Sequence, residues 1–458
     1  MTKSIGQDFK LFSLLKFALP AMIMMVFMSL YTIIDGVFIS RLIGSDALSA
    51  TNIVYPAINV LIAVGIMLAT GGSAIIAKKI GERKSEEARK NFSLIVATGA
   101  AFGVVVLILG NMGITPLVKM LGATDRILEL CRMYLSVLLY FAPMCVLQLL
   151  FQMLFVTAGR PGIGLVTTIV GGITNAVLDY VFMGPLQMGI AGAALATGLG
   201  QAVPAVIGVV YFFVVKEELY FVKPNIDLRV LKYSCLNGSS EMVTNLCTAM
   251  VTFLFNIMIL KLAGEEGVAA MTIVLYGQFL FNALYLGFSM GIGPVFSYNY
   301  GSGNRKLLRR IFHICILFIV VSAVIVTIAA LSGASLIVEI FTPKESGTYD
   351  LASRGFFLFS FNYLFAGMNI FASAMFTAFS NGKISAIISF MRTFVFIIGS
   401  ILILPRIMGI DGIWLAVPLA ESLTILGSVW FFWKMKDVYH YAGKGASNDL
   451  GKKQKYNV

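Results

Sequence analysis

Apolar residues gather along this chain in twelve long runs separated by short polar segments. The runs fall at about 14–40, 51–77, 92–114, 132–158, 163–184 and 189–215, then at about 233–260, 268–296, 311–333, 355–379, 384–404 and 412–433. Each spans roughly 20 residues or more, enough at about 1.5 Å per residue to cross a hydrocarbon core of roughly 30 Å. The pattern predicts an all-α polytopic membrane protein with twelve transmembrane helices. Composition agrees: 59% of residues are hydrophobic, 12% are charged and mean hydropathy is +0.90, a balance foreign to soluble domains. The opening residues predict no cleaved leader, because a short polar start runs into Pro20 with no small-residue cleavage pattern after it.

The net charge of +12 would suggest nucleic acid only if its distribution were ignored. Twelve spans put both termini on one side, and most Lys and Arg sort to that side, as in KKIGERKSEEARK (78–90), NRKLLRR (304–310) and the tail after Trp433. The positive-inside rule then predicts cytoplasmic termini, with a secondary attraction to anionic lipid and no nucleic-acid partner. No obligate protein partner is expected. The cysteines at 131, 145, 235, 247 and 315 have no metal-ligand spacing and read as small core residues. No Walker A pattern is present, which argues against an ATP motor within the chain.

At an offset of 220 residues the two halves align. Gly44 meets Gly264, ATNIV (50–54) meets AMTIV (270–274), Gly81 meets Gly301, Thr157-Ala158 meets Thr377-Ala378, and MGIAG (188–192) meets MGIDG (408–412). Six spans per half make the repeats parallel, and such repeats often hold a substrate site between them. The expected organisation is an N-lobe at 1–215, a linker at 216–232, a C-lobe at 233–433 and a polar tail at 434–458.

Five charged residues lie well inside the spans: Asp35, Asp179, Glu241, Arg392 and Glu421. A charge at a helix centre costs about 2.5–3.5 kcal/mol on insertion scales, so those present usually face a cavity or a partner. Asp35 stands six residues before Arg41, and Asp179 six before Pro185, so both lie roughly 9 Å from the same end of their helices. Asn175 is one turn from Asp179, and Thr197 lies about 12 Å into the sixth span. Two carboxylates, an amide and a hydroxyl are thus expected to converge on one polar site of the first half. Hard oxygens of this kind suit a small cation such as Na⁺, and close carboxylates in a low dielectric can equally hold a proton.

The second half does not repeat these acids; Asp35 corresponds to Phe255 and Asp179 to Gly399. Glu241 and Arg392 each sit about nine residues into their spans from the same side, which suggests an ion pair. Glu241, Asn245, Thr248 and Thr252 form one polar stripe, and Gln278, Asn282, Tyr285 and Ser289 another. Such stripes either line a wet cavity or fasten helices. Met28 and Tyr31 share a face with Asp35. Together with Glu241, Asn245, Gln278, Asn282 and Arg392 they are candidate substrate-cavity residues, since thioether and aromatic walls accept varied organic cations.

At these residues the sequence resembles the MATE family of multidrug and toxic compound extrusion transporters, in its bacterial DinF/MepA-like branch. The likeness rests on FALPAMIMMVFMSLYTIIDGVFISRLIGSDALSA (17–50), AGRP (158–161), NAVLDYVFMGPLQMGIAGAALATGLGQ (175–201) and GFSMGIGPVFSYNYGSGN (287–304). It implies a V-shaped two-lobed fold in the bacterial cytoplasmic membrane. It also implies antiport, with Na⁺ or H⁺ entering as a small organic cation leaves, and no cofactor or enzymatic step. The family's coupling residues map onto Asp35, Asn175, Asp179 and Thr197, a tyrosine of the same network onto Tyr134, and a helix-bending proline onto Pro20. Other branches carry acids in the seventh, eighth or tenth span; Glu241 does not clearly match that place, and spans eight and ten have no acid.

The main alternative is a flippase for lipid-linked oligosaccharide, which would be expected to have a more basic cavity. A major-facilitator transporter would carry a G-x-x-x-D-R-x-G-R pattern where KKIGERKSEEARK stands, and an intramembrane aspartyl protease would need Y-D and G-x-G-D motifs that IIDG and VLDY do not supply.

Overall fold

The computed structural model describes residues 5–43 and 45–442, which form fifteen α-helices and one π-helical turn without a strand. The first half contains α1 (Leu11–Leu42), α2 (Ser45–Gly81), α3 (Ser85–Met112), the short α4 (Ile114–Met120), α5 (Leu128–Tyr140), α6 (Ala142–Thr157), α7 (Pro161–Met183) and α8 (Gly189–Val214). The second contains α9 (Leu228–Gly301), α10 (Arg305–Phe341), α11 (Gly347–Ser360), α12 (Tyr363–Ala378), α13 (Gly382–Phe390), the π-helical turn Met391–Ile397, α14 (Ile398–Met408) and α15 (Ile410–Tyr439). An all-helical solution follows from the solvent, since hydrocarbon offers no partner to an unpaired backbone amide.

Among the described residues nine helical segments are long and apolar enough to cross a membrane, α13 and α14 acting as one. Two more spans are bent pairs, α5 with α6 at 54° and α11 with α12 at 53°. The twelfth comes from α9. Its 74 residues would reach about 110 Å if straight. It instead breaks at Gly264, whose φ of 63° and ψ of −156° suit only a residue without Cβ. The run is therefore two spans, as the sequence predicts.

The repeat is visible in the backbone. Both bent spans occupy the same place in their halves, and left-handed residues recur at the 220 offset, Arg83 with Gly303 and Gly189 with Gly409. Neither bend is predicted from the apolar pattern. Pro143 opens α6 beside one, while at the other Asn362 donates to the Phe359 carbonyl at 2.6 Å and closes the turn. Pro20 lies inside α1, which stays helical through it and on past Asp35 to Leu42. Gly44 and residues 443–458, named above in the repeat and the tail, lie outside the described residues.

The halves meet on the side that carries both termini. α2 crosses the first part of α9, where a Cβ on Gly71 would overlap the Ser234 carbonyl and one on Gly238 the Met67 carbonyl. Near the helix ends Gly81 faces the Tyr298 carbonyl and Gly301 the Lys78 carbonyl, a contact that maps onto itself under the 220 offset. Asn59 adds a bond from its amide to the Asn245 carbonyl at 2.9 Å. Small residues at such crossings let backbones close to van der Waals distance, the main source of helix association in lipid. Gly71→Val is therefore expected to pry this crossing open. Thiol labelling of the half-buried Cys235, next to Ser234, should accelerate several-fold while buried Cys315 is unaffected; an unchanged Cys235 rate would mean the crossing tolerates a side chain.

Candidate functional site

The five predicted coupling residues of the first half come together. α1 supplies Asp35, α5 Tyr134, α7 Asn175 and Asp179, and α8 Thr197. Close packing of α7 on α8 sets the geometry: Gly171 lies against the Gly200 carbonyl, and Gly200 against Asn175. Asp179 is fully buried, Asn175 is 5% exposed and Tyr134 6%. The Asp35 and Asp179 carboxyls lie within hydrogen-bonding reach of each other, Asn175 stands beside Asp179 one turn back on α7, and Tyr134 lies near both acids. With neither acid protonated no donor stands between them, and Asp35 Oδ1 and both Asp179 oxygens lack a partner, as does Asn175 Nδ2. Buried acceptors without donors are costly. The arrangement has a place for one positive charge, a proton or a small cation.

Beside the pair is a cavity of about 20 Å³, room for roughly one water molecule. Tyr31, Gln148, Asn175, Thr197 and Gln201 line it. Thr197 donates its hydroxyl proton to the Ala193 carbonyl at 3.1 Å, which leaves oxygen lone pairs for the cavity. Gln148 and Gln201 were not among the predicted residues. Nor was Gln152, whose amide donates to Thr168 Oγ1 at 3.2 Å and reaches Met28 Sδ at 3.5 Å. Their signal was present as amides in otherwise apolar spans. Met28 thus packs onto the polar floor of the first half.

The second half corrects one expectation. Glu241 and Arg392 do not pair; Arg392 binds Glu421 instead, its Nε 2.8 Å from Oε1 with a second bond from Nη2. Glu421, 1% exposed, also accepts from Asn369 Nδ2 at 2.7 Å, and Asn369 Oδ1 accepts from Ser428 at 2.8 Å. Depth explains the error. Glu241 meets α13 at Ser385, through Ser240, whereas Arg392 lies seven residues beyond Ser385, roughly 10 Å further along the helix and on the π-helical turn.

Most of the predicted stripes prove self-satisfied. Asn245 and Thr248 bond carbonyls one turn back, at Glu241 and Thr244, and Tyr285 is buried with its hydroxyl on the Tyr363 carbonyl. Gln278 is half-buried on the same run, and Asn282 keeps an unpartnered buried Oδ1. A larger cavity of about 470 Å³ lies at the bend of α9, walled by Phe253, Ile257, Leu260 and Val268, with Asn256, Glu265 and Thr272 as its polar points.

Two parallel six-helix repeats with a buried carboxyl pair in one of them define a membrane transporter rather than an enzyme. The MatE family profile matches residues 20–181 and 242–402, one stretch in each half, and the chain belongs to that family. It is 23% identical over 434 residues to the multidrug export protein MepA of Staphylococcus saprophyticus, covering 93% of this chain and 94% of that one. The MepA protein of Staphylococcus aureus is likewise 23% identical over 438 residues, with the same coverage. Among solved structures, an outward-facing multidrug resistance MATE family transporter of the MOP superfamily superposes with TM-score 0.88 at 24% identity, over 95% of this chain and 97% of that one. A MATE crystal structure in complex with MaL6 gives 0.87 at 24% identity, over 93% and 96%.

Two stability tests separate the two buried charge systems. Glu421→Gln leaves Arg392 without its counter-ion and is expected to cost roughly 3–5 kcal/mol, with much of the loss recovered in Glu421→Gln/Arg392→Met. Thermal melts of the detergent-solubilised protein check this; a neutral single variant would mean the pair is not what holds the π-helical turn to α15. Asp179→Asn, by contrast, removes a carboxylate with no donor and should raise the melting temperature. A lowered one would mean that the charge itself holds α7 in place.

Proposed function

We propose that this protein is a secondary active efflux antiporter that exports organic, mainly cationic amphiphilic compounds in exchange for H⁺ or Na⁺. The observation that carries this reading is the Asp35–Asp179 pair, two carboxyls in reach of each other with no donor between them. Family membership and the multidrug export named for the MepA relatives support it.

In the proposed cycle the exchanged ion is itself a substrate. Empty of it, the pair and Asn175 and Thr197 present oxygens that attract an organic cation, with Tyr31 and Met28 as an aromatic and thioether wall. A proton or Na⁺ entering at Asp35 and Asp179 neutralises the first half, weakens that attraction and releases the cation. Repacking of α1 above Pro20, where a backbone hydrogen bond is missing, would carry the change to the crossing of the halves. Alternating access then amounts to one lobe, 1–215, rocking against the other, 233–433, through the 216–232 linker. The linker is strapped to the first lobe: Arg160 forks onto Glu217 at 2.6 and 2.8 Å, and Arg89 donates to the Glu218 carbonyl at 3.0 Å.

We place the protein in a bacterial cytoplasmic membrane with both termini inside, because Lys78, Lys79, Arg83, Lys84 and Arg305 crowd the terminal side. Purified protein in liposomes loaded with a fluorescent organic cation tests the whole reading. A pH or Na⁺ gradient imposed alone is expected to drive efflux and to name the coupling ion, and Asp35→Asn to abolish it. Uphill efflux by Asp35→Asn, or transfer of a lipid-linked sugar with no dye movement, would overturn it.

A further inference from the structure

We propose that Glu241 is a second proton-binding site, in the half that lacks the aspartate pair, reached through a relay of buried hydroxyls. Glu241 keeps some accessible surface, as does Ser373 on α12, while the residues between them, Ser240 and Ser385, are fully buried. These four form an unbroken chain. Ser240 Oγ donates to Glu241 Oε2 at 2.5 Å, Ser385 Oγ to Ser240 Oγ at 2.8 Å, and Ser373 Oγ stands 2.8 Å from Ser385 Oγ. Thr377 closes a parallel branch, 2.8 Å from Ser385 Oγ and 3.2 Å from Glu241 Oε1. One turn before Glu241, Asn237 is 4% exposed, donates to the Thr377 carbonyl at 2.8 Å and leaves its own Oδ1 without a partner.

The chemistry selects a proton over a metal ion. Oxygens around a cation of Na⁺ or Ca²⁺ size, bound at roughly 2.4 Å, stand more than about 3 Å apart. Most of these hydroxyls instead lie at direct hydrogen-bond contact with one another, so they conduct rather than coordinate. Nor does a fixed counter-ion compete for the site. Among the described residues no Lys, Arg or His lies within ion-pair distance of Glu241. α12 and α13 face it with hydroxyls, Lys383 of α13 and Lys232 of α9 are exposed, α2 contributes Met67 and Gly71 at the crossing, and Arg392 is held by Glu421 of α15.

In the transfer Glu241 Oε2 takes the Ser240 proton, Ser240 takes that of Ser385, Ser385 that of Ser373, and Ser373 is refilled by a hydronium ion that leaves as water. No charge is left on any hydroxyl. The site lies one turn from Gly238, where α9 touches the Met67 carbonyl, so gain of a proton there acts directly on the crossing of the halves.

The inference rests on the efflux reading only for its place in the cycle, so the test reads the carboxyl itself. Infrared difference spectra of the Asp35→Asn/Asp179→Asn protein, recorded across a pH titration, should contain a protonated-carboxyl band that is lost on adding Glu241→Gln. Ser385→Ala should keep the band but slow its appearance after a pH jump by about tenfold or more. A titration unchanged by Glu241→Gln, or a jump unaffected by Ser385→Ala, overturns the proposal. Should Glu241→Gln fail to fold, Ser385→Ala and Ser240→Ala carry the decision through the same kinetics. Dye efflux plays no part in it, so its failure would tell only against the antiport reading.

Discussion

Two carboxyl groups in hydrogen-bonding reach of each other, with no donor to share, are the constraint on which the first half depends. Hydrocarbon does not solvate an isolated charge, so Asp35 and Asp179 can persist only where the fold supplies a compensating charge or lets one arrive. The neighbours supply none. Tyr134 and Asn175 are neutral, the Thr197 hydroxyl donates to its own helix, and the adjoining cavity has room for about one water. Had an arginine stood beside the pair, the site would be a structural ion pair, as at Arg392 and Glu421. Without one it is incomplete until an ion or proton enters, which is the property an exchanger needs.

The second half handles its charges differently. Glu421 receives a guanidinium, an amide and, through that amide, a hydroxyl, so a costly buried acid is almost fully paired. Replacing either charge alone leaves the other stranded, which makes the network a fastener for α12, the π-helical turn and α15. Glu241 stands between the extremes. It has donors, so it is not stranded, but they are neutral hydroxyls, so its charge is not fixed. The three environments range from unpaired to fully paired within one duplicated architecture, although the acids themselves do not repeat.

Much of this was legible in the sequence because a bilayer simplifies the code. Run lengths predicted twelve spans, and counting residues from helix ends put Asp35 and Asp179 at one depth before any contact was known. Counting fails where a helix departs from 1.5 Å per residue or where rotation about its axis matters. Arg392 sits on a π-helical turn, which shifts the face it presents, so equal depth with Glu241 was not enough to pair them. The bends after Tyr140 and Ser360 were hidden for a related reason, since an apolar run reads the same whether or not it kinks. Gln148, Gln152 and the Ser385 relay were missed because a lone amide or hydroxyl in an apolar helix usually satisfies itself on its own backbone. Only tertiary packing shows which ones do not.

The glycine crossing joins these chemical sites to motion. Gly71, Gly81, Gly238 and Gly301 put backbone against backbone, so at these points α2 and α9 meet by main-chain dispersion contacts, beside a buried apolar core to which both halves contribute side chains. The glycine contacts themselves involve no ion pair, and a charged link across the halves on that side is Arg310 of α10 to Asp8 at 2.6 Å. Bistability therefore need not reside in the crossing. α1 packs against α9 and Glu241 lies on α9 itself, so a change of charge at either place bears on a helix of that crossing. In the antiport cycle proposed above, the charged sites are the switch and the glycines the surface that parts, while the Arg392–Glu421 network fastens α12, the π-helical turn and α15 within the second lobe.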